Sequence, residues 1–94
     1  MSISFEWDAD KAKTNRLKHR IGFEEASTVF GDPLSLTIHD PEHSREGEDR
    51  FVTVGHSERQ RLIVVVHCDL GDRIRLISAR SATSREKKNY EEGR

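Results

Sequence analysis

The sequence predicts an α+β domain with a small twisted, mostly antiparallel sheet, two N-terminal helices on one face of the sheet and a C-terminal helix. Three observations predict this fold class. Five separate apolar segments show clear periodicity. Two stretches near the N-terminus have the apolar spacing of helices, and the last three strands follow one another through short turns, which favours an antiparallel meander. The predicted order of elements is β-α-α-β-β-β-β-α.

The first three elements are a short strand and two helices. Residues 3–7 alternate apolar and polar side chains, which predicts a half-buried strand. Asp8 is a natural N-cap for a helix over about residues 9–19. A second, shorter helix is indicated by three apolar residues at helical spacing, Phe23, Ala26 and Phe30. The Gly-Asp-Pro sequence at 31–33 ends this helix, because the residue before a proline disfavours the helical conformation.

Three further strands occupy the middle of the chain. Residues 34–39 alternate apolar and polar side chains, which predicts a strand with one solvent-exposed face. A charged loop over residues 40–49 leads to the next strand, residues 50–56. A short turn then leads to the strand at residues 62–68. Because residues 62–66 are all apolar, we expect this strand at the centre of the sheet with both faces covered.

The stretch from Asp72 to Tyr90 combines the last strand with the start of a helix. Residues 73–77 carry β-branched and aliphatic side chains interleaved with cations. Thr83 and Glu86 form a capping-box pattern, so a helix is predicted to begin just after Thr83. The basic side chains of this stretch are Arg73, Arg75, Arg80, Arg85 and Lys87. Cations held on regular structure can bind a phosphate in a defined geometry, although a solvated amphipathic strand would show the same residues.

Length and charge limit the possible functions. The 94 residues predict one domain spanning 1–94, and 33% hydrophobic against 35% charged residues predicts a small core that leaves room for a partner. The net charge of −1 argues against a generally basic nucleic-acid-binding protein. The charge is unevenly distributed, however, because residues 11–20 contain five cations and no acid, whereas residues 39–50 are mainly acidic.

Cys68 is the only cysteine, so no intrachain disulfide can form. The N-terminal residues contain no apolar run of signal-peptide length and no stretch is long enough to span a bilayer, so a cytoplasmic protein without a membrane partner is predicted. Four potential metal ligands occur together, His39, Asp40, Glu42 and His43. Pro41 excludes the helical spacing that would place both histidines on one face, and we predict neither a metal nor another cofactor.

Short motifs along nearly the whole chain resemble those of the BrnT toxin family. They are Phe5–Asp8, Lys18–His19, Phe23–Ala26, Phe30–Pro33, Arg50, Gly55, Arg73–Arg75, Ile77–Arg80, Glu86 and Tyr90. The resemblance implies a fold like that of the RelE-type bacterial toxins and a ribonuclease that blocks translation. It also implies a BrnA-type ribbon-helix-helix antitoxin, which would make the contact with operator DNA when the complex represses its own promoter. Arg20 stands where many members have a glycine, which predicts a different end of the first helix.

Metal-free RNA cleavage needs a base for the 2′-hydroxyl, cations for the phosphorane and an acid for the leaving 5′-oxygen. Arginine suits the second role, since its fork matches two phosphate oxygens. Arg75 and Arg80 are the best candidates and Arg50 is the third. An alternative for Arg80 is a structural ion pair with Glu86 or Glu48. We expect the site on the open face of the sheet, beside the C-terminal helix.

His67 is a candidate base or acid, because imidazole titrates near neutral pH. A two-residue turn at 70–71 would pair His67 with Ile74, and a turn at 58–59 would place Arg50 opposite His67. The same strand parity places Arg75 on the face opposite His67. The alternative is a histidine packed in the sheet.

Tyr90 is a candidate by resemblance, because RelE-type toxins often place a tyrosine near the C-terminus in the site. The alternative is a helix anchor with its hydroxyl at the rim of the sheet. Basic residues predicted to bind the RNA backbone are Lys11, Lys13, Lys18, Arg73 and Arg85. Phe5 and Trp7 could stack on bases, but their alternation with polar residues favours the core. The competing function is a non-catalytic toxin-like module that only binds an antitoxin.

Overall fold

The computed structural model describes residues 3–93 and contains one five-stranded mixed sheet. Its elements in chain order are β1 (Ser4–Glu6), α1 (Ala9–His19), α2 (Phe23–Ser27), a 3-10 helix (Thr28–Gly31), β2 (Leu36–His39), β3 (Arg50–His56), β4 (Leu62–Asp69), β5 (Arg73–Ser81) and α3 (Ser84–Glu92). This order confirms the predicted β-α-α-β-β-β-β-α arrangement. β5 is longer than predicted, since it continues to Ser81.

The strands lie in the order β1-β5-β4-β3-β2. β1 runs parallel to β5, and every other neighbouring pair is antiparallel. The apolar strand β4 is therefore at the centre, as its continuous hydrophobic run predicts. No helix in the described part of the chain is both long and apolar enough to cross a membrane.

The main core lies between one face of the sheet and the helices α1 and α2. Its fully buried members are Ile21, Phe23, Ala26, Val29, Ile63, Val65, Leu76 and Ala79. Burial of each large side chain in this set contributes roughly 1.5–3 kcal/mol. Phe5 and Trp7 pack against the core, and the Trp7 ring lies 5.9 Å from that of Phe23, edge to face. This arrangement confirms the two N-terminal helices on one face.

Local capping sets the ends of α1. The Asp8 carboxylate accepts hydrogen bonds from the backbone N–H groups of Asp10 and Lys11, at 2.8 and 3.1 Å. The helix ends at Arg20, which has the left-handed conformation (φ 60°, ψ 33°). A glycine adopts this conformation without steric cost, which explains why a glycine is suited to this position.

Asn15 attaches α1 to β5. This side chain is 6% exposed, and its amide nitrogen donates to the carbonyl oxygens of Ile21 (3.0 Å) and Ala79 (2.9 Å). Its amide oxygen accepts from the Ala79 N–H at 3.0 Å. β1 pairs with β5 only over Arg73–Arg75, so it does not extend to Ala79. The Asn15 amide therefore takes the place of a neighbouring strand and hydrogen-bonds the backbone N–H and C=O of Ala79.

A β-bulge in β5 decides which side chains share a face. His67 pairs with Leu76 whereas Val66 pairs with Ser78, so Ile77 is an extra residue in β5. Arg75 and Arg80 are an odd number of positions apart and would lie on opposite faces of a regular strand. The extra residue reverses this parity, and both arginines lie on the face opposite α1 and α2, across from Cys68 and Val64.

The two hairpin turns differ from the predicted ones. In the β3–β4 hairpin the N–H of Ser57 donates to the Arg61 carbonyl (2.9 Å), and Gln60 has φ 64°. This longer turn shifts the register by one residue, so Arg50 lies opposite Cys68. The predicted Arg50–His67 pairing is therefore wrong, because one additional turn residue moves every side chain of a strand to the other face.

The β4–β5 hairpin turns at Gly71 and Asp72, where the Leu70 N–H donates to the Arg73 carbonyl at 2.9 Å. His67 consequently pairs with Leu76, and the predicted pairing with Ile74 is wrong by two residues. A two-residue error keeps the parity of the strand. The predicted placement of Arg75 on the face opposite His67 is therefore confirmed.

Candidate active site

The face of the sheet opposite α1 and α2, here called the open face, combines apolar and cationic side chains. The register places on it Leu36, Ile38, Arg50, Val52, Val54, His56, Val64, Val66, Cys68, Arg75, Ser78 and Arg80. Its middle is apolar, and its arginines lie at the two ends. α3 lies over one end, where Glu86 contacts Arg80 and Tyr90 contacts His56.

Arg50, Cys68 and Arg75 form a row across β3, β4 and β5 at one end of the open face. The Arg50 side chain is 25% exposed, and its Nη2 lies 3.5 Å from Glu48 Oε1. Its Nε is buried and has no hydrogen-bond partner among the described residues. An unsatisfied buried donor is unfavourable, and because it is buried an anion could reach it only after a movement of the Arg50 side chain.

Glu6 on β1 holds the arginines of the neighbouring strand. Its two carboxylate oxygens accept from Arg73 Nε at 2.5 Å and from Arg75 Nε at 2.7 Å. The hydrogen bond from Arg75, followed by that from Arg73, lowers the pKa of Glu6. Arg73 also contacts Asp72 at 2.9 Å. The parallel β1–β5 register, with Glu6 beside Arg75, brings these charges together.

Arg80 forms a two-pronged ion pair with Glu86. Its Nη1 and Nη2 donate to the two Glu86 oxygens at 2.8 Å each, and Nη1 also donates to the Ser81 carbonyl at 3.3 Å. Glu86 is in turn fixed by the capping box, because it accepts from the Thr83 N–H at 2.8 Å. The Arg80 hydrogen bonds are the main reason that the pKa of Glu86 is lowered to about 2. The structural ion pair between Arg80 and Glu86, which the sequence offered as the alternative to a catalytic role for Arg80, is therefore present.

The pair with Glu86 does not use all the donors of Arg80. A guanidinium has five N–H groups, and the bonds to Glu86 and Ser81 use both protons of Nη1 and one of Nη2. The Nε–H and the second Nη2 proton form a second fork. This fork has the geometry that two oxygens of one phosphate require.

His67 lies on the helix-covered face, away from the three arginines. It is 4% exposed, between the rings of Phe30 and Phe51 at 4.8 and 6.0 Å, and its Nε2 lies 2.8 Å from Thr53 Oγ1. Burial lowers the pKa of His67 to about 4. These contacts fit the packed-histidine alternative, and a catalytic role for His67 stays a prediction that the open-face geometry does not favour.

Tyr90 connects α3 to the sheet and to the end of the 3-10 helix. It is 5% exposed, and its hydroxyl donates to Asp32 Oδ2 at 2.6 Å and lies 3.2 Å from His56 Nδ1. Gly55 leaves room for the Asp32 carboxylate, because a Cβ at this position would lie 2.9 Å from the Ser35 Cβ and 3.2 Å from Asp32 Oδ2. Tyr90 is thus an anchor with a buried polar end, and its contact with RNA stays a prediction.

The predicted RNA-binding residues lie on more than one surface. Lys11 and Lys18 line a groove between α1 and the bulge of β5. Lys13 lies in a different depression of α1, beside Leu17. Arg73 lies next to Glu6, and Arg85 is exposed in the first turn of α3. The basic stretch of residues 11–20 therefore surrounds α1 and does not form one face.

No sequence pattern predicted a role in the site for Asp32, His56 or Asn15. His56 and Arg50 are both in β3 and an even number of positions apart, so strand parity alone places them on one face. That signal could have identified His56. Asp32 gave no such signal, because it occurs in a turn sequence that explains it fully. Asn15 occupies the apolar stripe of α1, where a polar residue needs a partner.

One group of potential metal ligands occurs in the described residues. Ligand atoms of Asp40, Glu42 and His43 lie within 4.8 Å of one another, and His43 Nδ1 is 2.9 Å from Asp40 Oδ2. Glu42 and His43 are exposed, and the contact between Asp40 and His43 is an ordinary ion pair of a surface turn. We assign no metal to this group.

Comparison with known proteins shows the family and the fold of the chain. Residues 7–86 match the family model described as the ribonuclease toxin BrnT of type II toxin–antitoxin systems. The structure is similar to the 1.1 Å crystal structure of the Brucella abortus ribonuclease toxin BrnT, with a TM-score of 0.63 and 23% identity over 88% of this chain and 100% of that chain. The sequence matches none of the curated proteins. Since the family model covers most of the chain, the protein belongs to the BrnT family of ribonuclease toxins of type II toxin–antitoxin systems.

Proposed function

We propose that this protein is a cytoplasmic toxin that cleaves RNA without a metal ion, inhibits translation and is neutralised by a BrnA-type antitoxin. The family description supports a ribonuclease toxin with an antitoxin partner. The observation that carries the proposed site is the β-bulge, because it places Arg75 and Arg80 on the same open face as Arg50.

The arginines supply the positive charge that a phosphorane needs. Val64 and Cys68, which lie opposite Arg80 and Arg75, are four positions apart on β4, or about 13 Å at ~3.3 Å per residue. A phosphate bound to the free fork of Arg80 would therefore lie well away from Arg50 and Arg75, which could bind another phosphate of the same strand. Arg50 would have to move to bind such a ligand through its Nε, which is buried and has no hydrogen-bond partner among the described residues.

The apolar middle of the open face suits single-stranded RNA. Val52, Val54 and Val66 are half-buried there, and Ile38 is 66% exposed. Unpaired bases can pack on such a surface while the arginines bind the phosphates. Lys11, Lys13, Lys18, Arg73 and Arg85 would then contact the RNA backbone beyond the cleavage point and increase affinity without selecting sequence.

Expression of the protein alone in a bacterium tests this function. We expect growth to stop and transcripts to be cleaved, and we expect the purified protein to cleave RNA equally well with and without a chelator. Normal growth with intact RNA, at a high level of soluble protein, would contradict the proposal. Activity that disappears with the chelator and returns with a divalent ion would contradict metal independence.

A second candidate is a non-catalytic module that only binds an antitoxin. One observation favours it: each arginine of the open face has a carboxylate partner, namely Glu48, Glu6 and Glu86. Such pairs are common on purely structural surfaces. RNA that stays intact while the protein binds the product of the neighbouring gene would support this candidate. We expect that gene to encode a ribbon-helix-helix protein, which alone contacts operator DNA.

A further inference from the structure

His56 ends β3 on the open face and has a side chain 43% exposed to solvent. Its Nδ1 lies 3.2 Å from the Tyr90 hydroxyl oxygen, and that hydroxyl donates its proton to Asp32 Oδ2 at 2.6 Å. The backbone N–H of His56 also donates to Asp32 Oδ2, at 2.8 Å. A partly exposed imidazole is thus held by a buried tyrosine and a largely buried carboxylate.

These contacts determine which imidazole nitrogen is basic. A phenol has one proton, and the Tyr90 proton lies in the bond to Asp32. The Tyr90 oxygen can therefore only accept from His56, so Nδ1 carries the hydrogen. In the neutral ring the lone pair is then on Nε2. The tyrosine fixes the tautomer in which Nε2 can take a proton from a substrate.

Asp32 places a carboxylate close to the His56 ring. Its side chain is 10% exposed, and burial acts to raise its pKa. Hydrogen bonds from the His56 N–H, the Tyr90 hydroxyl and the Leu34 N–H outweigh burial and lower the pKa of Asp32. The carboxylate therefore stays ionised, with Oδ2 3.8 Å from His56 Nδ1.

α3 connects this group to Arg80. Glu86 and Tyr90 are four residues apart in α3, so they project from the same side one turn apart, about 6 Å along the axis. Glu86 binds Arg80 and Tyr90 binds His56. Adjacent turns of one helix thus hold a cation with a free fork and an imidazole with a basic Nε2.

We propose that His56 is the general base of RNA cleavage and that Tyr90 and Asp32 are its positioning residues. This inference rests on the proposed ribonuclease function. His56 Nε2 takes the proton of the 2′-hydroxyl, the 2′-oxygen forms a bond to phosphorus, and the bond from phosphorus to the 5′-oxygen breaks. Water protonates the leaving 5′-oxygen, and the resulting hydroxide recovers the proton from His56. The products are a 2′,3′-cyclic phosphate and a 5′-hydroxyl.

The first test compares purified wild-type protein with His56→Gln on a short RNA, over a range of pH. We expect the rate to fall about 10²–10⁴-fold, as for loss of a general base, and the decrease of the rate towards acid pH to disappear. Free imidazole should partly restore the rate of His56→Ala. His43→Gln is the matched control, since His43 is exposed in the charged loop, and it should cleave like the wild type.

The second test separates positioning from packing. Tyr90→Phe keeps the ring but removes the hydroxyl, so we expect an altered acid limb of the pH profile with an unchanged fold by circular dichroism. The other titratable groups that line the same pocket are Asp32, Glu58 and Tyr90. Replacement of Glu58 by Gln should therefore be measured as well, and it should leave the profile unchanged. In the folded wild type, nitrogen NMR should show the hydrogen of neutral His56 on Nδ1.

The outcomes distinguish the two proposals. Wild-type protein that never cleaves RNA would overturn the ribonuclease function and this inference with it. Wild-type cleavage together with equal cleavage and an equal pH profile for folded His56→Gln would overturn only the role of His56. A hydrogen found on Nε2 of His56 would also overturn it, whatever the variants do.

Discussion

Arg80 donates hydrogen bonds to Glu86 in the free protein, and in the proposed RNA complex it would also bind a phosphate. Because Glu86 engages the end of the guanidinium, it orients the remaining fork and does not block it. A lysine could pair with Glu86 but could not present two further parallel donors. The identity of this residue therefore matters more than its charge.

We predict that Arg80→Ala reduces RNA cleavage about 30- to 1000-fold, or roughly 2–4 kcal/mol of transition-state stabilisation, and that Arg80→Lys recovers only part of this loss. Single-turnover cleavage rates of the folded variants provide the measurement. Arg59→Ala is the control, because Arg59 lies in the β3–β4 turn outside the open face. Full activity in Arg80→Ala would remove this residue from the site.

His67 links pH to stability. An imidazole in an unfolded chain takes up a proton near pH 6.5, whereas burial lowers the pKa of His67 to about 4. In this window the unfolded state binds a proton that the folded state excludes, so the free energy of unfolding falls as the pH falls.

We predict that this loss amounts to on the order of 3 kcal/mol between pH 6.5 and pH 4, and that His67→Gln makes the profile flatter in this window. Urea unfolding at several pH values is the measurement. His39→Gln, at an exposed position, should keep the wild-type slope. An equally steep profile in His67→Gln would assign the pH dependence to other groups.

Individual elements are attached by a few buried polar contacts. Glu25 in α2 accepts hydrogen bonds from Ser57 Oγ at 2.7 Å and from Arg61, and so joins α2 to the β3–β4 hairpin. The Arg61 hydrogen bonds are the main cause of the lowered pKa of Glu25. α1 has a narrow apolar stripe, and Asn15 performs the equivalent attachment to β5.

We predict that Asn15→Leu lowers the free energy of unfolding by about 2–4 kcal/mol, because the buried N–H and C=O groups of Ala79 lose their partner. Asn15→Asp should be intermediate, since it keeps only the acceptor for the Ala79 N–H. Thr14→Ala, on the exposed side of the same turn, is the control. Denaturant unfolding gives the free energy of unfolding of each variant. An Asn15→Leu protein as stable as the wild type would show that another group hydrogen-bonds the N–H and C=O groups of Ala79.

At the scale of the whole molecule, opposite charges are concentrated in different regions despite the net charge of −1. The cations of residues 11–20 surround α1, and the acidic loop precedes β3. An antitoxin that protects the host must cover cations that would otherwise meet RNA. An acidic antitoxin segment across α1, across the Arg73–Arg80 strand or across both would do so, and would associate fastest at low salt.

We predict that the double variant Lys13→Glu and Arg16→Glu slows association with the antitoxin more than it speeds dissociation, and that the wild-type association rate falls as salt rises. Stopped-flow mixing or surface-based kinetics gives both rates. The double variant Arg45→Glu and Arg59→Glu, in the acidic loop and the β3–β4 turn, is the control with the same change of net charge. A complex that leaves α1 and β5 open to solvent would show that inhibition uses another surface.

Local sequence patterns were sufficient for the order and approximate bounds of the elements. Asp8 and the Thr83–Glu86 pair determine where α1 and α3 begin, because capping involves neighbouring residues only. The central position of β4 follows from its apolar run. The candidate arginines were likewise recognisable, since their chemistry depends on residue type and not on position.

The distribution of these residues between the two faces depended on the tertiary structure. Side chains alternate along a strand, so one extra residue, Ile77 in β5 or Gln60 in the β3–β4 turn, moves a whole set of side chains to the other face. The positions of the bulge and of the turn depend on how the strands pack and pair. No short sequence pattern predicts these positions. Packing between distant segments also brings Asp32, His56 and Tyr90 together. The sequence alone thus determined the elements and the chemical groups, and tertiary packing decided which groups share a surface, because face and register are properties of paired strands.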